Sequence, residues 1–209
     1  DPTGASINTE AGFSIVTYSA NGTAGATVAH GLGKKPAWII IKCRNAGDNW
    51  MVYQHQVNGG VDPEDYYLKL NATTAITDSP NMLNDTAPTD TLVTINNDGA
   101  VNSGSRTYVM YCWSEIPGYS KFGSYTGQGN SDGPYAELGF RPGWVMIKGA
   151  HSDIWYIYDN KRNPGNVVDK ELNSDRAQSE ATFTTMDFLS NGFKLRTTNS
   201  SFNYNSYTY

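Results

Sequence analysis

Charge is scarce in this chain. Lys, Arg, Asp and Glu together make 17% of its 209 residues, against about a quarter in an average soluble domain. The lysines and arginines never cluster and the net charge is −5. That removes the basic footprint a nucleic-acid partner requires. Apolar runs such as "AWIII", residues 37–41, fall far short of the ~20 residues of a membrane-spanning helix, so no membrane insertion is expected. The start, "DPTGASINTEAG", lacks the basic and apolar stretches of a secretory signal. Asp1 follows no initiator Met, so the chain reads as a fragment or a processed form. Cysteine is nearly missing: Cys43 and Cys112 are the two present. Two do not make a disulfide framework; they are either two free, half-buried thiols or a single bridge.

What is present points to strands. Glycine (21) and tyrosine (14) are plentiful, and Thr, Ser and Asn fill the remaining positions. A helical bundle would need Ala, Leu, Glu and Lys instead. "FSIVTY", "AWIIIK", "NWMVYQH", "TLVTIN" and "TYVMYCW" are short runs rich in β-branched and aromatic residues. "GWVMIK", "IWYIYD" and "GFKLRT" play the same parts later. Turn signals such as Asn21–Gly22, Asp98–Gly99 and Asn191–Gly192 separate them, and "FLSNGFKL" carries a hairpin signal. A short helix fits only "DRAQSEATFTTMDFL", from Asp175.

The chain also repeats itself. "GLGKKPAWIIIK" (31–42) returns as "LGFRPGWVMIK" (138–148), with Pro36, Trp38, Ile41 and Lys42 matching Pro142, Trp144, Ile147 and Lys148 at one constant offset. Tyr18 and Gly22 match Tyr125 and Gly129; Trp50 and Tyr53 match Trp155 and Tyr158; "YYLKLN" matches "VDKELN". Order is kept while the offset drifts, as expected of an internal duplication with loop changes. The reading is a linker over 1–11, a first β repeat over 12–116 and a second over 117–209. The second stops inside the strand that "TYVMYCW" forms in the first, which implies that the natural protein continues. In each copy Gly33 or Gly139 permits a bend, and the proline sits just before a strand. That strand is apolar on both faces, so it should be central, with Lys42 or Lys148 marking its exit to solvent.

Chemical signatures are sparse. "YTGQGNSDGP" has the wrong spacing for a phosphate loop and no following helix. Asn130 and Asp132 offer two oxygens where calcium takes six to eight. His30, His55 and His151 are scattered, without zinc-ligand spacing. Carboxylates that a sugar-cleaving pair would need (Asp62, Glu64, Asp65, Asp159, Asp169, Glu171) read as solvated loop charges. No catalytic residues, metal or cofactor are assigned, and the chain is not expected to be an enzyme. Most aromatics fit packing. Tyr66, Tyr67, Phe202, Tyr204 and Tyr207 lie in polar surroundings and are the better candidates for exposed, ligand-stacking rings. The copies differ most at "VNGGVDPEDYY" against "NKRNPGNVVDK". Binding residues are therefore sought there, which adds Lys161, Arg162 and Asn163.

The stretches "AGFSIVTYSANGTAGATVAHGLGKKPAWIIIK", "YVMYCWSEIPGYSKFGSYTGQGNSDGP", "LGFRPGWVMIK", "YDNKRNP" and "DFLSNGFKLRTT" resemble a tandem domain of uncharacterised function found in large virion proteins of tailed bacteriophages. The resemblance covers almost the whole chain. It implies a virion structural role, most plausibly in a tail fibre, tailspike or other host-facing appendage, and carries no catalytic residues. The implied partners are other virion proteins, further copies of the chain (a homotrimer, by analogy with virion appendages) and a host surface glycan. A capsid-decoration or ligand-free fibre domain is the first alternative and a glycan depolymerase the second. The expected fold is all-β, two tandem repeats of β-sandwich or jelly-roll type.

Overall fold

A computed structural model describes every residue, Asp1–Tyr209. The protein is all-β, with antiparallel sheets in an arrangement consistent with a β-sandwich. Two compact units are present: Asp1–Leu70 with Ile76–Gly123, and Asn71–Ala75 with Ser124–Tyr209.

The first unit holds β1 (Pro2–Asn8), β2 (Phe13–Ser19), β3 (Ala26–Ala29), β4 (Trp38–Cys43), β5 (Met51–Gln54), β6 (Tyr66–Lys69), β7 (Thr77–Asp78), β8 (Leu92–Ile95) and β9 (Thr107–Trp113). Seven of them form one sheet in the order β1-β2-β9-β4-β5-β6-β7, and β3 pairs with β8. Strands β2 and β9 alternate between buried and half-buried residues, the period-2 pattern of a sheet with one face on the core. Val16, Tyr18, Tyr108, Met110 and Cys112 point inward and meet Ile39 and Ile41 of β4. Val28, Val93 and Ile95 from the β3–β8 pair enter the same core. Both cysteines are buried there as free thiols, so the bridge alternative falls.

The second unit holds β10 (Tyr135–Glu137), β11 (Trp144–Lys148), β12 (Trp155–Asp159), β13 (Val168–Asn173), β14 (Ala181–Leu189), β15 (Gly192–Leu195) and a one-turn helix, α1 (Ser200–Asn203). One sheet runs β10-β15-β14-β13-β12-β11. Its core gathers Val145, Ile147, Tyr158, Met186, Phe188 and Leu195 with Phe202 from α1. The Asn191–Gly192 hairpin forms as expected, closing with Leu189 opposite Gly192.

Several expectations need correction. Residues 1–11 are not a linker: β1 pairs along β2 from Gly4–Thr17 to Asn8–Phe13. Its side chains are small and polar because it is an edge strand held by backbone bonds. Gly31 is what lets it approach, since a Cβ there would lie 2.2 Å from Cδ1 of Ile7. The units divide after Gly123 rather than after Ile116. The cause is a turn in which Ile116 bridges Ser120 and the Glu115 carboxylate accepts from Phe122 N and Lys121 Nζ. The stretch from Asp175 forms β14 instead of a helix, as its alternating Thr and Phe favour. Strand β4 is central but β11 ends its sheet. Neither lysine marks an exit to solvent. Lys148 is buried, its Nζ donating to the carbonyls of Gly149 and His151; Lys42 Nζ donates to that of Asp48.

The two units nonetheless share a detailed geometry. Trp38 sits opposite Gln54 and Ile39 opposite Tyr53; Trp144 sits opposite Asp159 and Val145 opposite Tyr158. This is one register written twice. In the next strand the equivalence differs by two residues from the "YYLKLN"/"VDKELN" match, because Met51 faces Lys69 whereas Tyr156 faces Asn173.

The strongest correspondence lies around two buried asparagines that the sequence does not advertise. Tyr18 stacks on Tyr108 at 5.2 Å and 14°; Tyr125 stacks on Tyr209 at 5.2 Å and 15°. Tyr18 OH donates to Val101 O, and Tyr125 OH to Phe202 O. Asn102 accepts from Asn21 N at 2.9 Å and donates to Thr23 O at 3.0 Å. Asn203 accepts from Gln128 N and donates to Asn130 O, both at 2.6 Å. Tyr108 OH donates to Gly99 O and accepts from Ser103 N; Tyr209 OH does the same with Ser200 O and Tyr204 N. Asp98 and Asn199 each cap the turn that carries the asparagine, accepting from Ala100 N and Ser201 N. Even the crossing strand is matched, with Arg44 N bonded to Thr107 O and Ala150 N to Thr208 O.

Removing a buried amide that satisfies loop backbone leaves those groups unpaired. Asn102→Ala and Asn203→Ala should each lower the stability of their own unit by about 2–3 kcal/mol, read from urea unfolding followed by tryptophan fluorescence. A loss below about 0.5 kcal/mol would remove the asparagines from the framework. His30 gives a second expectation. It is fully buried, Nε2 lying 3.2 Å from Thr89 O and Nδ1 accepting from Leu32 N. Burial lowers its pKa. The unfolded chain therefore takes up a proton below about pH 6.5 that the fold resists, and stability should fall as pH drops through that region. His30→Gln should flatten this part of the stability–pH curve.

Candidate functional site

The sequence candidates separate into residues the fold consumes and residues it leaves outside. Tyr67 is consumed: it is buried in the first core, because alternation along β6 turns it inward. Tyr66 is half-buried. Burial, followed by the neighbouring Asp78, raises its phenol pKa. Phe202 is 1% exposed in the second core.

The "NKRNPGNVVDK" loop is largely an internal staple. Arg162 donates from Nε to Asp159 at 2.7 Å, from Nη1 to Glu180 and from Nη2 to Ile157 O. Asp159 also accepts from the backbone N–H groups of Lys161 and Arg162, a side-chain-closed turn. The Asn163 side chain donates to Asp169 and accepts from Asp169 N and Lys170 N. Of the three loop candidates, Lys161 alone has an exposed, unshared side chain. Nor is Glu171 a solvated charge: it is 7% exposed and accepts from Tyr158 OH at 2.8 Å. Asp132 is taken up by ion pairs with Lys194 at 3.0 Å and Arg196 at 3.6 Å. No group of three or more His, Cys, Asp or Glu is placed to hold a metal ion.

Tyr204 and Tyr207 are different, at 51% and 44% exposure. They stand at the two ends of a tight turn closed by Tyr207 N donating to Tyr204 O. Ser206 inside it adopts a left-handed φ of 66°. The turn brings the rings to 4.6 Å at 57°. It is seated by Ser206 N donating to Gly127 O, and a Cβ on Gly127 would lie 2.1 Å from Tyr204 O.

Beside the turn lies His151, which nothing in the sequence linked to it. Its imidazole is 4.9 Å from the Tyr207 ring and edge-on to Tyr209 at 5.6 Å. Its Nε2 is 3.5 Å from Asp153, whose other oxygen accepts from Tyr156 OH at 3.0 Å. His151 Nδ1 is buried without a hydrogen-bond partner. Ala150, His151, Ser206, Tyr207 and Thr208 line a shallow, open hollow. In the first unit the matching carboxylate, Asp48, is instead held by Arg106 at 2.6 Å. The two units therefore differ in what partners this carboxylate. The lining of the hollow presents the Tyr207 ring and the His151 imidazole, with the Tyr204 ring against Tyr207 on the same turn and the Asp153 carboxylate beside the imidazole. Such a surface can stack on an apolar ring face and hydrogen-bond to hydroxyls around it.

The antiparallel sheets define the class: an all-β protein in an arrangement consistent with a β-sandwich. The chain belongs to the family described as domain of unknown function DUF7483, whose model matches residues 2–209. No curated protein and no solved structure matches it.

Two outcomes test the geometry. A Cβ on Gly149 would lie 2.5 Å from Cε1 of His151, so Gly149→Ala should displace the imidazole from Tyr207 at a cost of about 1–3 kcal/mol. Gly165→Ala, where nothing lies within 4 Å, should change stability by less than about 0.5 kcal/mol. Ring chemical shifts of Tyr207 and thermal melts read both. Lys148 supplies the second. Burial lowers its pKa from 10.5 to about 8. Between these values the unfolded chain holds a proton that the folded chain has released, so stability should rise as pH increases from about 8 towards 10. Lys148→Met should abolish that rise.

Proposed function

We propose that this chain is a non-enzymatic structural module of a tailed-phage virion, built as a tandem pair of one β unit, in a tail fibre, tailspike or other host-facing appendage. We propose further that its second unit touches host surface glycan through Tyr204, Tyr207 and His151. The exposed tyrosine pair on its rigid turn carries this reading. The sequence resemblance to virion proteins supports the setting, and the matched asparagine–tyrosine frames support the duplication. A single shallow site binds weakly. Repetition in an oligomer, proposed here as a homotrimer within the extracellular particle, would compensate through avidity.

A second reading has its own observation. Arg162 and Asn163, in the loop where the units differ most, are spent on internal bonds. That is the behaviour of a ligand-free fibre-shaft or capsid-decoration domain. The discriminating experiment displays the chain multivalently on beads over an array of bacterial surface polysaccharides. The glycan reading expects retention, weakened about tenfold or more by Tyr204→Ala or Tyr207→Ala and unchanged by Lys161→Ala. Retention nowhere on the array favours the ligand-free reading. Release of reducing ends from any polysaccharide overturns both and makes the chain a depolymerase.

A further inference from the structure

We propose that the hollow beside His151 receives an organic ammonium group carried on the surface glycan. The inference rests on the glycan reading for its setting and adds the chemistry of the group that is bound.

The first unit shows what this place in the frame holds. Tyr108 and Tyr209 are equivalent. Arg106, two residues before the one, therefore corresponds to Tyr207, two residues before the other. Asp48 corresponds to Asp153, each two residues before a matched tryptophan, Trp50 or Trp155. In the first unit the Arg106 guanidinium meets the Asp48 carboxylate at 2.6 Å, and Lys42 Nζ donates to the Asp48 carbonyl. In the second unit a phenol ring stands where the guanidinium was. Lys148 remains, under the influence of two carboxylates, Asp153 and Asp175. Oδ2 of Asp175 is buried without a hydrogen-bond partner. Counting lysine, arginine and carboxylate groups, the first unit has one cation in excess here and the second one carboxylate in excess. A place that holds a cationic side chain in one copy suits a ligand's cation in the other.

The walls suit that charge as well. The face of an aromatic ring attracts ammonium groups, and quaternary ammonium ligands are held by several rings at once. Tyr207 and His151 line the hollow with their planes inclined at 58°, and Tyr204 stands against Tyr207 at 57°. Parallel rings cover one another's faces, as Tyr125 and Tyr209 do at 15°. Rings inclined this steeply leave face area open. The arrangement is also set in advance: Ser206 N donates to Gly127 O, Ala150 N to Thr208 O, and Tyr209 backs the imidazole edge-on. Preorganised walls lower the cost of ordering on binding. A neutral sugar would use the ring faces but not the charge.

The test titrates two pairs of probes into the intact chain and follows the ring resonances of Tyr204, Tyr207 and His151. One pair is choline and neohexyl alcohol, its uncharged tert-butyl isostere; the other is glucosamine and N-acetylglucosamine. At least one ammonium probe should shift these signals saturably, about threefold or more tighter than its uncharged counterpart. The tighter of the two identifies the source, a choline substituent or an amino sugar. Tyr204→Leu and Tyr207→Leu should each weaken that binding about three- to tenfold, and Tyr207→Phe, which keeps a ring, should weaken it less. Asp153→Asn, which still accepts from Tyr156 OH, should narrow the preference for the charged member of each pair. Tyr207→Arg, which restores the first unit's cation, should remove that preference. Equal affinity within both pairs overturns the proposal, as do ring signals unmoved by all four probes up to their solubility. Retention of uncharged polysaccharide through Tyr204 and Tyr207, with no preference for ammonium, overturns this inference and leaves the glycan reading standing. Ammonium binding with no polysaccharide retained leaves the ammonium site and removes the glycan.

Discussion

A buried carboxamide clamped beneath a stacked tyrosine pair is the constraint on which the rest of each unit depends. In a sheet protein rich in long turns, the difficulty is backbone that leaves the ladder and must still be hydrogen-bonded. Asn102 answers it in the first unit by bonding to two residues of the turn after β2, and Asn203 does the same for the turn at 128–130. An amide side chain can donate and accept at once, so one residue fixes both the N–H of one turn position and the C=O of another. The tyrosine hydroxyls complete the frame by tying the asparagine's own turn to the stacked rings. Burial makes these bonds costly to lose, and that locates the turn, the following strand and the entry into the core together.

The same accounting decides where function has room. Arg162, Asn163, Asp159, Glu171 and Asp132 have the side chains a chemist would select for binding or catalysis, and each is engaged in holding a loop or strand. The second unit departs from the first where a satisfied pair has been exchanged. Arg106 on Asp48 gives way to a histidine beside Asp153 and a tyrosine on the histidine. An extended guanidinium fills its own space; two rings meeting at an angle leave a hollow. The site is thus a local variation on a frame whose geometry does not change.

The legible part of the sequence was the part written in apolar periodicity and turn chemistry. Strands β2, β4, β5, β9, β11, β12 and β15, the Asn191–Gly192 hairpin and the repeated Gly–Pro–Trp phrase follow from alternation, from φ > 0 at Gly33 and Gly139, and from proline's missing donor. Strand β1 escaped because an edge strand held by backbone bonds needs no apolar code. Asn102 and Asn203 escaped because a core asparagine looks like a loop asparagine until its turn is folded around it. Tyr67 and Phe202 were misplaced for the related reason that polar neighbours in sequence need not be neighbours in space. Tyr204 and Tyr207 were placed correctly outside, but His151 reaches them only through the strand crossing at Ala150 and Thr208, a contact no local pattern encodes.

The two copies of one phrase show how far local sequence determines environment. Trp38 and Trp144 begin strands of the same register, each after a glycine-bearing bend and a proline. Trp38 is enclosed by Trp113 and Phe122 at 4.9 and 5.6 Å, while Trp144 is half in solvent. Nothing within "PAWIIIK" or "PGWVMIK" produces that contrast. It comes from β9, a strand about seventy residues downstream of β4 in sequence. Strand formation is therefore a property of the segment, whereas being core or edge is a property of its neighbours. An apolar strand such as β11 has its inward half satisfied by its own unit, and its outward row of backbone groups still requires water or another strand.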